Sequence, residues 1–140
     1  MLVYALDTKK DLKVLKAYLD ELCRGELEFV GFTNMKELLG AAADRAFDAV
    51  YINLDYNAND YPSSGELAAR SIFKKFKERR LNIIGVSDKK NDKYVKLLIE
   101  ICASSFIGKP YDRDKLIDTL KNLRFPVSVR DMSNPYIRYY

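Results

Sequence analysis

No histidine occurs in the 140 residues, and that absence removes Ser/His/Asp triads, histidine general bases and the commonest zinc ligand together. Cysteine is scarce. Cys23 and Cys102 stand too far apart for a CxxC pair or a metal-type spacing, and each sits within an apolar helical pattern, so a reduced intracellular chain is expected. No apolar run approaches the roughly 18 residues that a membrane span needs. The opening Met1-Leu-Val-Tyr run leads straight into an acidic turn and lacks the charged start of a signal peptide. A soluble, cytoplasmic protein without membrane contact is the expectation. Charge of one sign is also in small excess: the formal net charge of +4 is spread through Lys/Glu and Lys/Asp mixtures, the usual look of a solvated surface, and does not argue for nucleic acid. Neither an internal repeat nor a low-complexity tract is present.

What the chain does contain is 48% apolar side chains, enough for one compact domain with a real core but not for a second catalytic domain. Apolar runs alternate with helical patterns over the first 123 residues, the signature of a parallel sheet covered by helices. Leu2 to Leu6 reads as a buried strand, followed by a helix from about Lys9 to Cys23 with Leu12, Leu15, Leu19 and Leu22 at helical spacing and Gly25 as its stop. Leu27 to Phe32 is the second strand, and Asn34 caps a helix running through Ala43. Ala49 to Leu54, rich in Val, Tyr and Ile, reads as a central strand buried on both faces. After a polar loop to Gly65 come a helix from Glu66 to about Arg79, a strand Asn82 to Val86, a helix Asp92 to Cys102, a strand Ser105 to Ile107 and a helix Asp112 to Leu123.

Five βα units in about 120 residues predict an α/β fold of the flavodoxin-like, doubly wound kind, with strand order 2-1-3-4-5 and five helices. Ligand sites in such sheets lie at the carboxyl ends of the strands flanking the switch point, here strands one and three, so function is sought at Asp7, Thr8 and around Asn53. Residues 1–123 form the expected domain. Residues 124–140, with Pro126, Pro135 and three tyrosines near the end, read as a tail or the start of a linker.

The residues at these strand ends carry a family resemblance. Asp7 after the first strand, the run from Asp48 to Asn53, Ser87 after the fourth strand, and Phe106-Ile-Gly-Lys109-Pro110 together resemble a bacterial response-regulator receiver domain (CheY-like) across residues 1 to 123. The Lys-Pro pair, with a hydroxyl residue twenty-two positions earlier, is the strongest piece. The ending from Leu120 to Val127 further resembles the receivers of bacterial transcriptional regulators, in which a DNA-binding output domain follows.

The resemblance implies a site of two adjacent acids after strand one and an aspartate ending strand three, which hold Mg²⁺ while the last accepts a phosphoryl group. This sequence departs from it twice. Asp7 fills the first acidic place, but Thr8 stands in the second and Asn53 stands at the acceptor position. A carboxamide is neutral, a poor nucleophile and unable to form an acyl phosphate. With two of three carboxylates missing, Asp7 is left as the lone candidate metal ligand, Mg²⁺ would be held poorly against its hydration shell, and no cofactor is expected. By the same resemblance Ser87 and Lys109 match the hydroxyl and lysine that contact the phosphoryl group, Phe106 matches the switch aromatic, and Pro110 the proline that follows a cis peptide.

Each of these residues has a second reading. Lys109 can neutralise Asp7 as an ion pair, Ser87 can be a turn or cap residue, and Phe106 can be plain core. Asp55, two positions beyond Asn53 and so on the same side of a continued strand, is an alternative phosphoacceptor. Asp55, Asn57 and Asp60 alternate as in part of a calcium loop, but its glycine and distal glutamate are missing. Lys74, Lys75, Lys77, Arg79 and Arg80 complement the dipole at the end of the third helix, and Arg124, Arg130 and Arg138 interleave with Phe125, Tyr136, Tyr139 and Tyr140 in the tail. Thr8-Lys9-Lys10-Asp11 has no glycine, which argues against a flavin- or nucleotide-cradling loop.

The function expected is that of an atypical, phosphorylation-independent receiver in two-component-type signalling and transcription regulation, not an enzyme, working through protein contacts. The alternative is a true phosphoacceptor that uses Asp55 with Mg²⁺. The partner expected is a protein or a second copy, docked on the face of helix four, strand five and helix five through Lys93, Lys96, Glu100, Asp112, Arg113, Asp114 and Lys115, with DNA reached only through an output domain outside this chain.

Overall fold

Side chains alternate across a strand, so a strand covered by helices on both faces must be apolar at every position. Three strands of the computed structural model, which describes residues 1–57, 64–88 and 94–125, are buried at every residue, β1 (Leu2–Leu6), β3 (Ala49–Asn53) and β4 (Ile83–Ser87), and polar side chains enter them only at the carboxyl ends of β3 and β4, as Asn53 and Ser87. β2 (Glu28–Phe32) and β5 (Ser105–Gly108) lie at the edges and are partly exposed. All pairings are parallel and the order is β2-β1-β3-β4-β5, the arrangement expected from the alternating pattern.

The two faces carry separate cores. Leu2, Tyr4, Leu6, Val50, Ile52 and Ile83 point toward α2 (Met35–Asp44), α3 (Ser64–Phe76) and α4 (Val95–Glu100). Val3, Ala5, Tyr51, Ile84 and Val86 point toward α1 (Lys9–Cys23) and α5 (Arg113–Lys121), whose Leu12, Leu15, Leu19, Leu116 and Leu120 close the other side. Burial of each such leucine contributes about 1.5–3 kcal/mol, so the two faces together supply the main driving force.

Local chemistry sets the helix starts. Thr8 accepts the Asp11 N–H, Asn34 accepts those of Lys36 and Glu37, and Asp112 accepts that of Lys115; such caps are each worth about 1 kcal/mol. α1 ends where Arg24 and then Gly25 adopt left-handed backbone, with φ of 46° and 84°. α4 ends sooner than its apolar pattern predicts. Cys102 takes φ 52°, its N–H binds Ile99 O and the Ala103 N–H binds Leu98 O, a Schellman closure that stops the helix at Glu100. The predicted start of this helix, Asp92 with Lys93, lies outside the described residues, as do Asp60, Pro126, Pro135 and the tail residues Arg130, Tyr136, Arg138, Tyr139 and Tyr140. β3 stops at Asn53 and not at Leu54, because Leu54 and Asp55 turn away from the strand.

At the amino edge of the sheet, the buried Asn82 side chain grips the chain after α5. Its Nδ2 donates to Phe125 O at 2.7 Å and to Asp48 O at 2.8 Å, while its Oδ1 accepts the Phe125 N–H at 2.8 Å. Arg124 and Phe125 are thereby fixed against β4, at the end of the sheet opposite Asp7.

Candidate functional site

β1 and β3 lie side by side in register, so their carboxyl ends bring Asp7 and Asn53 together, and the β4–β5 pairing delivers Ser87 and Lys109 to the same edge. The side chains sort into two groups there. Asp7, Thr8, Asn53, Ser87 and Lys109, expected to share a pocket, all lie at this edge, where Ser87 bonds to Asp55 and the other three bond to Asp7.

The first group surrounds Asp7, which is fully buried. Its Oδ1 accepts hydrogen bonds from Thr8 N at 2.8 Å, Asn53 Nδ2 at 3.0 Å and Lys109 Nζ at 2.8 Å, and its Oδ2 accepts one from the Tyr111 hydroxyl at 2.9 Å. Lys109, only 9% exposed, also reaches Asp11 Oδ2 at 2.6 Å. The anticipated Lys109–Asp7 ion pair is therefore present and is extended by a second acid. Burial alone would lower the Lys109 ammonium, but its bonds to Asp11 and Asp7 outweigh that and hold it above its ordinary value. The bond from Lys109 likewise holds Asp11 below its ordinary value, and burial with the adjacent Asp7 charge pushes the Tyr111 phenol far up.

The sequence alone assigns neither Asp11 nor Tyr111 a place at the site; Asp11 figures there only in the glycine-free segment Thr8-Lys9-Lys10-Asp11. A signal existed for each: Asp11 stands in the first turn of the helix that Thr8 caps, and Tyr111 follows immediately on the Lys-Pro pair. Thr8 itself serves as the cap of α1, with its exposed side chain turned to Asp11 N. The Lys109–Pro110 peptide is cis.

The second group surrounds Asp55. One carboxylate oxygen, Oδ2, accepts the Ser87 hydroxyl and the Asp88 N–H, the latter at 2.8 Å, while Oδ1 accepts the Tyr94 hydroxyl. The Ser87 hydroxyl is thus directed at Asp55, and its backbone oxygen takes the Lys109 N–H at 2.8 Å. Burial first, and then the bond to Asp55, raise the Tyr94 phenol well above its ordinary value. Tyr94 is buried and, like Asp11, was not singled out from the sequence.

Asn53 joins the two groups. Its Nδ2 donates to Asp7 and its Oδ1 accepts the Asp55 N–H at 3.0 Å, which uses both ends of the amide and fixes its orientation. Asp55 sits in a turn and not on a continued strand, so its carboxylate is directed to Ser87 and Tyr94 while that of Asp7 is held by Lys109. Phe106 on β5 is partly buried and packs onto the α2–α4 core, its ring lying beside Gly85, where an added Cβ would stand 3.2 Å from Cδ2.

This topology, with an acid and an amide at the β1 and β3 ends, a serine ending β4 and a lysine before a cis proline after β5, is the fold of CheY-like response-regulator receiver domains. Solved structures agree. A response-regulator receiver protein from Pseudoalteromonas atlantica superposes with a TM-score of 0.69 at 16% identity, covering 85% of this chain and 93% of that one. The BeF3-activated N-terminal receiver domain of Klebsiella pneumoniae RstA gives 0.68 at 19% identity, over 89% and 98% of the two chains. RcsB from Salmonella enterica serovar Typhimurium, bound to promoter rprA in the presence of phosphomimetic BeF3−, gives 0.71 at 18% identity, over 89% of this chain and 68% of that one. No family model and no curated protein matches the sequence.

Proposed function

We propose that this chain is a phosphorylation-independent receiver domain of two-component-type signalling, which regulates through protein contacts and performs no catalytic step of its own. The observation that carries the reading is the Asn53 amide at the end of β3, hydrogen-bonded to Asp7 on one side and to the Asp55 N–H on the other. An amide cannot form an acyl phosphate, and this one is also tied down at both ends. The surroundings support the same reading for metal. Mg²⁺ wants clustered carboxylate oxygens, whereas the oxygens of Asp7 already accept four hydrogen bonds and the Lys109 ammonium supplies the compensating positive charge. Among the described residues no group of three acids, cysteines or histidines is placed to hold a metal ion. The residues do not fit Mg²⁺, and no cofactor is assigned.

Contacts would be made through α4, β5 and α5. Several charges on that face are used within the chain: Glu100 pairs with Arg70 of α3, Arg113 with Glu21 of α1, and Lys115 with Asp112. Lys96 and Asp114 lie on the same helices, and Lys93 falls outside the described residues. Val95 and Ile99, 51% and 72% exposed and one helical turn apart on α4, add an apolar element that charge counting misses. A protein partner or a second copy suits this mixture, and DNA would be reached through an output domain outside this chain; RcsB, 68% of whose chain is covered by the match, is bound to promoter rprA. The described residues include no helix long and apolar enough to cross a membrane.

A second reading makes Asp55 the phosphoacceptor, favoured by its contact with Ser87. Against it, both Asp55 oxygens already accept hydrogen bonds, and the Lys109 ammonium lies with Asp7 and Asp11. Incubation with Mg²⁺ and a small acyl phosphate, followed by intact-mass measurement, decides between them. No added phosphoryl mass is expected; an adduct that disappears in Asp55→Ala would establish the second reading instead.

A further inference from the structure

We propose that the Asp55 carboxylate is an internal latch that positions α4 and with it the exposed Val95–Ile99 surface, so the interaction face is set by a charge built into the chain. Among the described residues, α4 is held at its start by the packing of Leu97 and Leu98 into the core and by Tyr94. It spans six residues, far too few to be stable by themselves, and has no side-chain bond capping its first turn. Leu97 is its buried residue, and its far end is closed by the Cys102 and Ala103 backbone bonds. The near end is fixed by Tyr94, buried to 3% exposure, whose hydroxyl donates to Asp55 Oδ1.

The other Asp55 oxygen takes the Ser87 hydroxyl and the Asp88 N–H, so one carboxylate ties the end of β4 and the first turn of α4 to the turn after β3. Such a partly buried anion with three donors is held far more firmly than a neutral group of the same shape, because charge-assisted bonds are about twice as strong as neutral ones. Asp55 is itself fixed, since its N–H binds Asn53 Oδ1. The amide at position 53 therefore orients the latch as well as occupying the end of β3. Asp55 acts here as a positioning residue. The inference rests on the reading of the Asp55 carboxylate as unmodified, and its consequence is that α4 needs no signal chemistry to adopt this placement.

Hydrogen exchange measured by mass spectrometry on the whole chain, without phosphodonor, tests it. In Asp55→Ala the amides of residues 95–100 are expected to exchange about tenfold faster or more, the factor corresponding to loss of one charge-assisted bond, while those of β1 and α1 keep their protection. Tyr94→Phe, which removes a single oxygen, is expected to give a smaller increase confined to the same helix. Combined with Asp55→Ala it should add almost nothing. Unchanged exchange of α4 in both single variants overturns the latch, as does a uniform increase over the whole fold in Tyr94→Phe. If Asp55→Ala does not fold, Tyr94→Phe alone carries the test. A phosphoryl adduct on the unaltered protein would overturn the silent-site reading without touching this exchange result, so the two failures are distinguishable.

Discussion

Asn53 shows how much one side-chain atom can decide. Its Nδ2 sits 3.0 Å from Asp7 Oδ1, a favourable contact only because that nitrogen donates. In Asn53→Asp the shape is unchanged, but two buried anionic oxygens would face each other at that distance with Lys109, already shared between Asp7 and Asp11, as the nearby ammonium. We expect the substitution to lower unfolding free energy at neutral pH by about 2–4 kcal/mol, read from urea denaturation. The introduced carboxyl would titrate above its ordinary range, so the variant should regain stability as pH falls. A loss under 0.5 kcal/mol would show that the amide's donor is not what stabilises Asp7. At this scale the sequence was partly legible. The Lys109–Asp7 pair could be anticipated because strand order brings their strand ends together, whereas the role of Asp55 could not, since it depends on a turn that reorients the side chain away from Asp7.

Elements meet at places where no side chain fits, and two glycines make the contrast measurable. Gly65, in the first turn of α3, lies against the end of β3: an added Cβ would stand 1.9 Å from the Asn53 carbonyl oxygen and 3.0 Å from the Leu54 carbonyl carbon. Gly40, exposed within α2, has nothing within 4 Å of the same position. Alanine favours a helix over glycine by about 1 kcal/mol in both cases. Gly40→Ala should therefore stabilise by about 0.5–1 kcal/mol. In Gly65→Ala the collision forces α3 off the strand end and should cost about 1–3 kcal/mol net. Thermal denaturation of the two variants should give shifts of opposite sign; equal and positive shifts would mean that α3 does not rest on the Asn53 backbone. The positions of the elements were readable from apolar periodicity, but this contact was not. Gly65 reads in the sequence only as the end of a loop, and α3 in fact begins at Ser64, two residues before the predicted start. α5 likewise stops at Lys121 and not at Leu123, because its last leucine can reach the core from the turn that follows.

Across the whole molecule, strand order and the two-faced core follow from five short apolar runs separated by amphipathic helices, and that part of the sequence reads almost directly. Grip on the chain after α5 was not legible, because Asn82 looks like an ordinary strand opening until its amide is seen to bind both backbone groups of Phe125. The distribution of ionisable groups leads to the last prediction, the dependence of global stability on pH. Asp11 titrates lower in the folded protein than the ordinary 3.8, so its contribution is present above that value and is lost as pH falls through the folded value. Lys109 titrates above the ordinary 10.5, so its contribution is intact below that value and is lost as pH rises through the folded one; the Tyr111 phenol, raised from 10.0, acts in the same direction. With no histidine in the chain, no side chain has an ordinary value between 5 and 8. Unfolding free energy followed by urea titration should thus form a plateau from about pH 5 to about pH 9, with an acid shoulder that Asp11→Asn flattens and an alkaline fall that Tyr111→Phe reduces. A transition centred near pH 6.5 would instead require a carboxyl driven far above its ordinary range, and the Lys109 ion pairs could not then be the groups that set the edges of the plateau.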